Sequence, residues 1–192
     1  MTAVCTKGVE SLSSGTNEGE AYTQFWAAVL VKINTEKKVS EKLNALGIHT
    51  YLPVQSEYHK WSDRRKKIDR IVIPMIVFVK IDRTLERRLL TYSYIYKFIS
   101  YPGQSHAAAI PDDQIERLKY MLNQSDMKVE FNSCKFEIGD EVEIARGPLK
   151  GLSGRLCYVD NGKPLIGIYL DMLGYACVTI DKNDVKIKNV DI

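Results

Sequence analysis

The 192-residue sequence lacks the features that mark most metal sites, enzymes and membrane proteins. Its four cysteines form no closely spaced pair of the kind that zinc sites use, and His49, His59 and His106 are equally scattered. No glycine loop followed by lysine is present to hold a phosphate. No apolar run is long enough to cross a bilayer, and residues 1–21 have no apolar centre of a signal peptide. We therefore expect a cytoplasmic, monomeric protein with reduced cysteines, no metal, no cofactor and no enzymatic activity.

The most apolar stretch is Arg70–Ile81, and its β-branched residues favour a buried strand. Pro74 donates no backbone hydrogen bond, so the strand is expected to begin after Pro74 or to be bulged there. A strongly basic hairpin or loop, Lys60–Lys67, precedes this stretch. This basic projection before a central apolar strand is the first indication of function in the sequence.

Charge is distributed unevenly along the chain. The net charge is +3, but residues 1–134 contain 19 basic and 15 acidic residues, whereas residues 135–192 contain 8 and 9. The positive excess therefore belongs to the first part of the sequence.

Hydrophobic periodicity predicts two domains of different class. Residues 1–21 are polar and aperiodic and are expected to be a disordered tail. Residues 22–122 follow the order strand, helix, strand, strand, helix, strand, helix, which predicts an α+β, ferredoxin-like βαββαβ(α) domain with an antiparallel sheet. A linker is expected at 123–135. Residues 136–192 contain short strands with glycines at corners, typical of a small SH3-like β-barrel.

Several local signals refine this prediction. The first helix is expected to bury Val39, Leu43 and Leu46 and to stop at Gly47. Asn161-Gly162 is a tight-hairpin signal. Gly147, Gly151 and Gly154 are expected to form turns. The barrel core is expected to contain Ile166, Ile168 and Leu170.

Two segments resemble known families. The first comprises Trp26 and the basic helix after it, Leu52-Pro53, Ile73–Val79 and Ile110-Pro111-Asp112, and it resembles the N-terminal (NGN) domain of NusG transcription elongation factors. The second comprises Ile138–Val142 and Gly147–Gly154, and it resembles a KOW motif. Together they cover about residues 24–190.

The resemblance departs from the ordinary NusG pattern at one place. Those domains tend to have an aromatic residue before the proline and Gly-Tyr after it, where this sequence has Ile73, Met75 and Ile76. That departure, with the basic segment Trp61–Lys67, is similar to the specialised UpxY-type paralogues, which act as antiterminators at capsular polysaccharide operons.

The resemblance implies a regulator that binds RNA polymerase, at the clamp helices of β′ and at the β subunit, and that suppresses pausing or termination. Carried over to this sequence, the polymerase-binding residues are Leu30, Ile76 and Phe78, with Arg87 and Arg88 toward the β subunit. The alternative for Ile76 and Phe78 is that they fill the core beneath the helices.

Two basic sets are candidates for binding nontemplate DNA or nascent RNA. The first is Lys32, Lys38 and Lys42; the second is Lys60, Trp61, Arg64, Arg65, Lys66 and Lys67, in which an exposed indole would stack on a base. The alternatives are a solvated helix face for the first set and a solubilising hairpin for the second.

In the second domain, Arg146, Lys150 and Arg155 are candidates for contacting a partner, either ribosomal protein S10 or another factor. Two other functions stay open. One is a housekeeping NusG, and the other is a ribosome-associated RNA-binding KOW protein that does not contact polymerase.

Overall fold

Two antiparallel sheets and one separate hairpin make up the mixed α/β fold. The computed structural model describes residues 24–60, 65–132, 137–158 and 164–187. The expected disordered tail at 1–21 and the Asn161-Gly162 turn lie outside these ranges. We call residues 24–124 the first unit and residues 130–187 the second unit.

The first unit contains a four-stranded antiparallel sheet in the order β2-β5-β1-β6. This order follows the expected strand-helix-strand-strand-helix-strand arrangement, with an extra two-stranded hairpin, β3–β4, inserted before β5. The bounds are β1 Phe25–Val31, α1 Glu36–Ala45, β2 Thr50–Tyr51, β3 Val54–Lys60, β4 Arg65–Ile71, β5 Ile76–Ile81, α2 Arg83–Leu89, β6 Ile95–Phe98 and α3 Asp112–Gln124.

The two central strands are buried on both faces of this sheet. Successive side chains of a strand point to opposite faces. Ala27, Val29 and Val31 of β1 therefore pack with α1 and α2, whereas Trp26 and Ala28 pack with α3. This double coverage explains why β5 reads as a continuous apolar run rather than as an alternating one.

The apolar stretch 70–81 is divided between two strands. β4 ends at Ile71, a turn contains Pro74, and β5 begins at Ile76. The expectation that the strand begins after Pro74 is confirmed. Met75, in the turn, has a φ of 64°, in the left-handed region that favours glycine.

The second unit contains a six-stranded antiparallel sheet in the order β12-β8-β9-β10-β11-β7. Ile166, Ile168 and Leu170 are buried, as expected. The bounds are β7 Glu130–Asn132, β8 Glu137–Ile144, β9 Ser153–Tyr158, β10 Pro164–Leu170, β11 Gly174–Thr179, a 3₁₀ helix Lys182–Asp184 and β12 Val185–Ile187.

Three local expectations are wrong. The stretch 123–135 is not simply a linker, because α3 continues to Gln124 and residues 130–132 form β7, which pairs with β11. Leu46 is exposed, because α1 ends one residue before it. Gly154 lies within β9 rather than in a turn, and a Cβ there would come within 2.8 Å of the Gly167 carbonyl oxygen on β10.

One hydrophobic core extends through both units. Phe78 of the first sheet, Leu118 of α3 and Ile168 of the second sheet belong to a single cluster of buried residues. Hydrogen bonds add to this packing: the Gln114 side chain accepts from the Asp171 amide at 2.9 Å, and the Tyr120 hydroxyl donates to the Lys150 carbonyl at 2.9 Å. Helix α3 therefore contacts both sheets.

Phe78 tests how much stability this core provides. Because the side chain has no exposed surface, Phe78→Ala should lower the free energy of unfolding by about 3–5 kcal/mol. Urea denaturation measures this change. Tyr96→Ala, at an exposed position, is the control and should change stability by less than about 0.5 kcal/mol. Similar stability of the two variants would contradict this packing.

Candidate functional site

The three residues expected to contact polymerase lie on one face of the first sheet. Leu30 is opposite Ile76 in the β1–β5 register, and Phe78 follows two residues along β5. Leu30 is half-buried, whereas Ile76 is 5% exposed and Phe78 is 0% exposed. The structure thus brings the three together but presents only Leu30 to solvent.

Phe78 is covered by neighbouring aromatic and helical residues. The Tyr51 ring stacks beside it, with centroids 6.0 Å apart, and the buried face of α3 belongs to the same cluster. Burial raises the pKa of the Tyr51 hydroxyl above its ordinary value, and the charge of Glu116 adds to this effect. An exposed apolar ridge at Ile76 and Phe78 is therefore absent, and the alternative that both fill the core is the arrangement observed here.

The turn that leads into β5 is held by a buried carboxylate. Glu36, the first residue of α1, is 2% exposed and accepts a hydrogen bond from the Met75 amide at 2.9 Å. Beside this turn, the Val31 amide donates to the Met75 carbonyl at 2.9 Å. The half-buried Leu30 and Met75 thus lie together at one end of the sheet, next to the exposed Ile33.

Arg87 and Arg88 are exposed on α2, where the next residue, Leu89, is fully buried. Asp82 caps this helix by accepting a hydrogen bond from the Leu85 amide at 2.7 Å. The two arginines are on the α1 and α2 side of the sheet, so they do not form one patch with Leu30.

The first basic set lies on α1 and just after β1. Lys38 and Lys42 are four residues apart on α1, and both are exposed, as is Lys32 after β1. The Lys42 ammonium lies 5.0 Å from the centroid of the Tyr94 ring. Burial raises the pKa of the Tyr94 hydroxyl, and the neighbouring Tyr92 adds to this shift.

The second basic set lies at the tip of the β3–β4 hairpin. Lys60 ends β3, Arg65 and Lys66 begin β4, and Lys67 is exposed. Trp61 and Arg64 lie outside the described residues. The described members of the set therefore belong to a two-stranded sheet separate from the one on which α1 packs.

The base of this hairpin is joined to the segment between the units. Gln55, 4% exposed, donates to the Met127 carbonyl at 2.8 Å and accepts from the Val129 amide at 2.9 Å. Its neighbour across the hairpin, Arg70, donates to the Val129 carbonyl at 2.7 Å and to Glu57 at 2.5 Å. These bonds fix the chain just before it enters β7.

The three basic residues proposed for the second unit are exposed but dispersed. Arg146 and Lys150 lie in the loop between β8 and β9, and Arg155 lies within β9. Arg155 lines a cleft between the units together with Arg117 and Tyr169. The three residues therefore do not form one compact patch.

The described part of the chain contains no group of three His, Cys, Asp or Glu residues that could hold a metal ion. Cys157 and Cys177 are free and buried. A hydrogen bond between the two thiols lowers the pKa of Cys157 and raises that of Cys177, and burial raises the latter further. Both sulfurs lie close to Gly167, where a side chain would displace them.

Comparison with known proteins identifies the family. Residues 24–119, half of the chain, match the family described as "Transcription termination factor nusG". The chain belongs to the NusG family. A relative named "Transcription termination/antitermination protein NusG", from Staphylococcus carnosus, is 23% identical over 146 residues, which are 75% of this chain and 80% of the relative.

Solved structures of NusG and Spt5 proteins also match this chain. One is described as "Domain interaction in Thermotoga maritima NusG", with 17% identity, a TM-score of 0.49 and coverage of 87% of this chain and 98% of that chain. Another, "Crystal Structure of MjSpt4:Spt5 complex conformation A", has 17% identity, a TM-score of 0.28 and coverage of 85% and 97%.

Membership of the NusG family places the protein among transcription termination and antitermination factors, which are not enzymes. The family match ends within α3, so it covers the first sheet and its helices and leaves out the second unit. In the described ranges, no helix has the length and apolar content needed to cross a membrane.

Sequence reasoning missed the polar residues that join the units of this NusG-family chain. Gln55 and Arg70 are strand residues with no motif around them. They lie opposite each other in the β3–β4 hairpin. Their partners, Met127 and Val129, are more than 55 residues away along the chain. A contact of that range gives no signal in a single sequence.

Gln55→Ala tests the attachment of the hairpin to this segment. The variant leaves the buried Val129 amide without its acceptor, which should cost about 1–3 kcal/mol locally. Amide hydrogen exchange at Val129 should become faster by about 5- to 150-fold, which corresponds to that loss of free energy.

Ser56→Ala is the matched control, since Ser56 is on the same strand and its hydroxyl bonds only Asp69 among the described contacts. It should leave the exchange of Val129 unchanged. Equal exchange rates at Val129 in wild type and Gln55→Ala would show that the Gln55 bond does not hold this segment.

Proposed function

We propose that this protein is a specialised transcription antitermination and elongation regulator that binds RNA polymerase through its first unit and suppresses pausing or termination. The observation that supports it is the NusG-family match over residues 24–119, which coincides with one complete folded sheet and its helices. In this proposal the first unit is a ferredoxin-like NGN domain.

The proposed polymerase contact is centred on Leu30. Interface energy concentrates in a few apolar anchors, and Leu30 lies with Met75 and Ile33 at an end of the sheet that retains apolar surface. Ile76 and Phe78 do not contact polymerase in this proposal. They support the interface indirectly, because their burial holds β5 in place opposite Leu30. Arg87 and Arg88 provide a second, polar contact toward the β subunit.

The proposed nucleic-acid contacts are electrostatic. Lys32, Lys38 and Lys42 are exposed after β1 and on α1, and basic residues end β3 and begin β4. Phosphate attraction of this kind is independent of sequence and weakens as salt rises. The ligand bound by these residues is proposed to be the nontemplate DNA strand or the nascent RNA.

The second unit is proposed to be a small SH3-like KOW barrel that recruits a further factor, such as ribosomal protein S10, through Arg146, Lys150 and Arg155. The motif-like segment occupies β8, the following loop and the start of β9. Gly147 and Gly151 in that loop have φ values of 86° and 87°, so the glycines are suited to the turn that they make.

The specialised role in capsular polysaccharide operons is proposed from the turn before β5. Met75 stands where ordinary relatives tend to have glycine, and its φ of 64° is strained for a residue with a side chain. The Glu36 carboxylate, bonded to the Met75 amide, offsets this strain. A departure that alters the proposed contact end of the sheet is consistent with a function distinct from that of a housekeeping NusG.

Pull-down from lysate tests whether the protein binds RNA polymerase. The full chain should retain RNA polymerase subunits, and recovery of ribosomal proteins without polymerase would favour an RNA-binding KOW protein instead.

Occupancy of the protein across the genome then separates the two polymerase-binding roles. Enrichment at one or a few operons supports the specialised role, and enrichment at most transcripts indicates the housekeeping one.

Leu30→Ala should weaken binding to purified polymerase about 30-fold, since a central apolar anchor contributes about 2 kcal/mol or more. Biolayer interferometry with the folded variant measures this change. Leu46→Ala is the control, because Leu46 is exposed at the far end of α1. Unchanged binding by Leu30→Ala would remove Leu30 from the interface.

A further inference from the structure

Two cysteine thiols meet on one face of the second sheet. Cys157 lies on β9 and Cys177 lies on β11, on either side of β10. The strand register puts both side chains on the face opposite to the one that carries the core residues Ile166 and Ile168. Cys157 is 0% exposed and Cys177 is 3% exposed, so the pair is buried outside the main core. We call these two residues the thiol pair, and the functions proposed above assign no role to it.

A glycine allows the two sulfurs to approach each other. Gly167 lies on β10, between the two strands, and is opposite Cys177 in the β10–β11 register. A Cβ on Gly167 would come within 2.9 Å of the Cys157 sulfur and within 3.2 Å of the Cys177 sulfur. Both sulfurs therefore lie beside one point on the middle strand, and the two thiols are hydrogen-bonded to each other.

The backbone geometry does not suit a disulfide within the thiol pair. Neighbouring strands of a sheet lie about 4.8 Å apart, so the Cα atoms of residues on β9 and β11 are separated by about 9 Å or more. A disulfide requires Cα atoms no more than about 7 Å apart. The two sulfurs can therefore be linked without movement of the strands only through a bridging atom.

A thiophilic cation has the size that such a bridge requires. A bond between a thiolate and a metal ion is about 2.3 Å long, so a cation bound linearly holds two sulfurs about 4.6 Å apart. This separation fits the thiol pair, because both sulfurs lie within 3.2 Å of the same point. Two sulfurs are too few for a structural zinc site, which uses four ligands. Soft monovalent cations such as Cu(I) are selected by thiolate ligands.

A cavity leads to one of the two thiols. Its volume is about 280 Å³, and Cys177 lines it together with Met127, Glu130 and Leu165. Met127, in the segment between the units, is 55% exposed. The cavity therefore borders solvent at a residue whose thioether is itself a soft ligand, and it provides a route by which a cation reaches Cys177.

A positive charge next to the thiol pair offsets the charge of a bound complex. Two thiolates and one monovalent cation together carry a single negative charge. The Arg155 guanidinium is close enough to Cys157 to act on it electrostatically. Glu130 acts on Cys177 in the opposite sense, but its carboxylate is paired with the Lys128 ammonium at 3.1 Å.

We propose that Cys157 and Cys177 bind one soft monovalent cation, such as Cu(I), in a linear site beside Gly167. Both thiols lose their protons, including the one that Cys157 donates to the Arg155 carbonyl at 3.5 Å, and two sulfur–metal bonds form. No oxidation or reduction takes place. The bound cation joins β9 to β11 across β10. This inference does not depend on the proposed contact with polymerase.

Competition for Cu(I) with the chelator bicinchoninate, without oxygen, tests the proposal on the full chain. Cys5→Ser and Cys134→Ser are introduced first, because these residues lie outside the described ranges and free thiols bind copper on their own. This background variant should bind one Cu(I) per chain tightly, and Zn(II) at the same concentration should not displace it. Cys157→Ala and Cys177→Ala should each weaken binding by more than about 100-fold, since residues that only support metal ligands already contribute about 10- to 100-fold.

Gly167→Ala, made in the same background, keeps both thiols and the charge of the chain. The added methyl group displaces the sulfurs, so the affinity for Cu(I) should fall by at least about tenfold. Binding by two thiols in any arrangement would not respond to this substitution. Thermal melting without metal establishes that each variant is folded.

Tight binding of one Cu(I) that is lost in the cysteine variants and weakened in Gly167→Ala supports the proposal. Absence of tight binding in the background variant overturns it, and so does equal affinity in the folded Gly167→Ala variant. A Cys157–Cys177 disulfide that a mild oxidant forms in the folded chain, detected by mass spectrometry, also overturns it, because the strands would then not hold the two residues apart.

Discussion

The packing of α3 against two sheets is the constraint on which the rest of the structure depends. Its buried residues, among them Ile115 and Leu118, belong to one hydrophobic cluster with Phe78 on one side and with Ile168 on the other. Burial of this kind is the dominant favourable term in folding. Because the central strands β1 and β5 also pack against α1 and α2, both faces of the first sheet are covered, and partner contacts are left to its ends and edges.

This constraint determines where function can reside in the first unit. The Leu30 end of the sheet keeps apolar surface beside the strained Met75 turn, the β6 edge carries the exposed Tyr96 and Lys97, and Lys67 is exposed on the hairpin. The hairpin is also bonded through Gln55 and Arg70 to the chain that enters the second sheet. Polar contacts therefore reinforce the arrangement that the shared core establishes.

Local patterns in the sequence were sufficient for much of this fold. The order of elements over residues 22–122 predicted a final helix, which is α3, and Pro74 predicted where β5 begins. The short strand β7 was not predictable, because its three residues gain stability only from pairing with β11. The burial of Phe78 was likewise undecided, since alternation along a strand identifies the residues that share a face but not what covers that face.

The proposed action on transcribing polymerase is tested most directly by the lifetime of a defined pause. Purified polymerase is halted and released on a pause-containing template with and without the full chain, and the half-life of the paused complex is measured. We expect a shorter half-life when the protein is present at saturating concentration. A pause half-life unchanged by the folded protein would contradict the account.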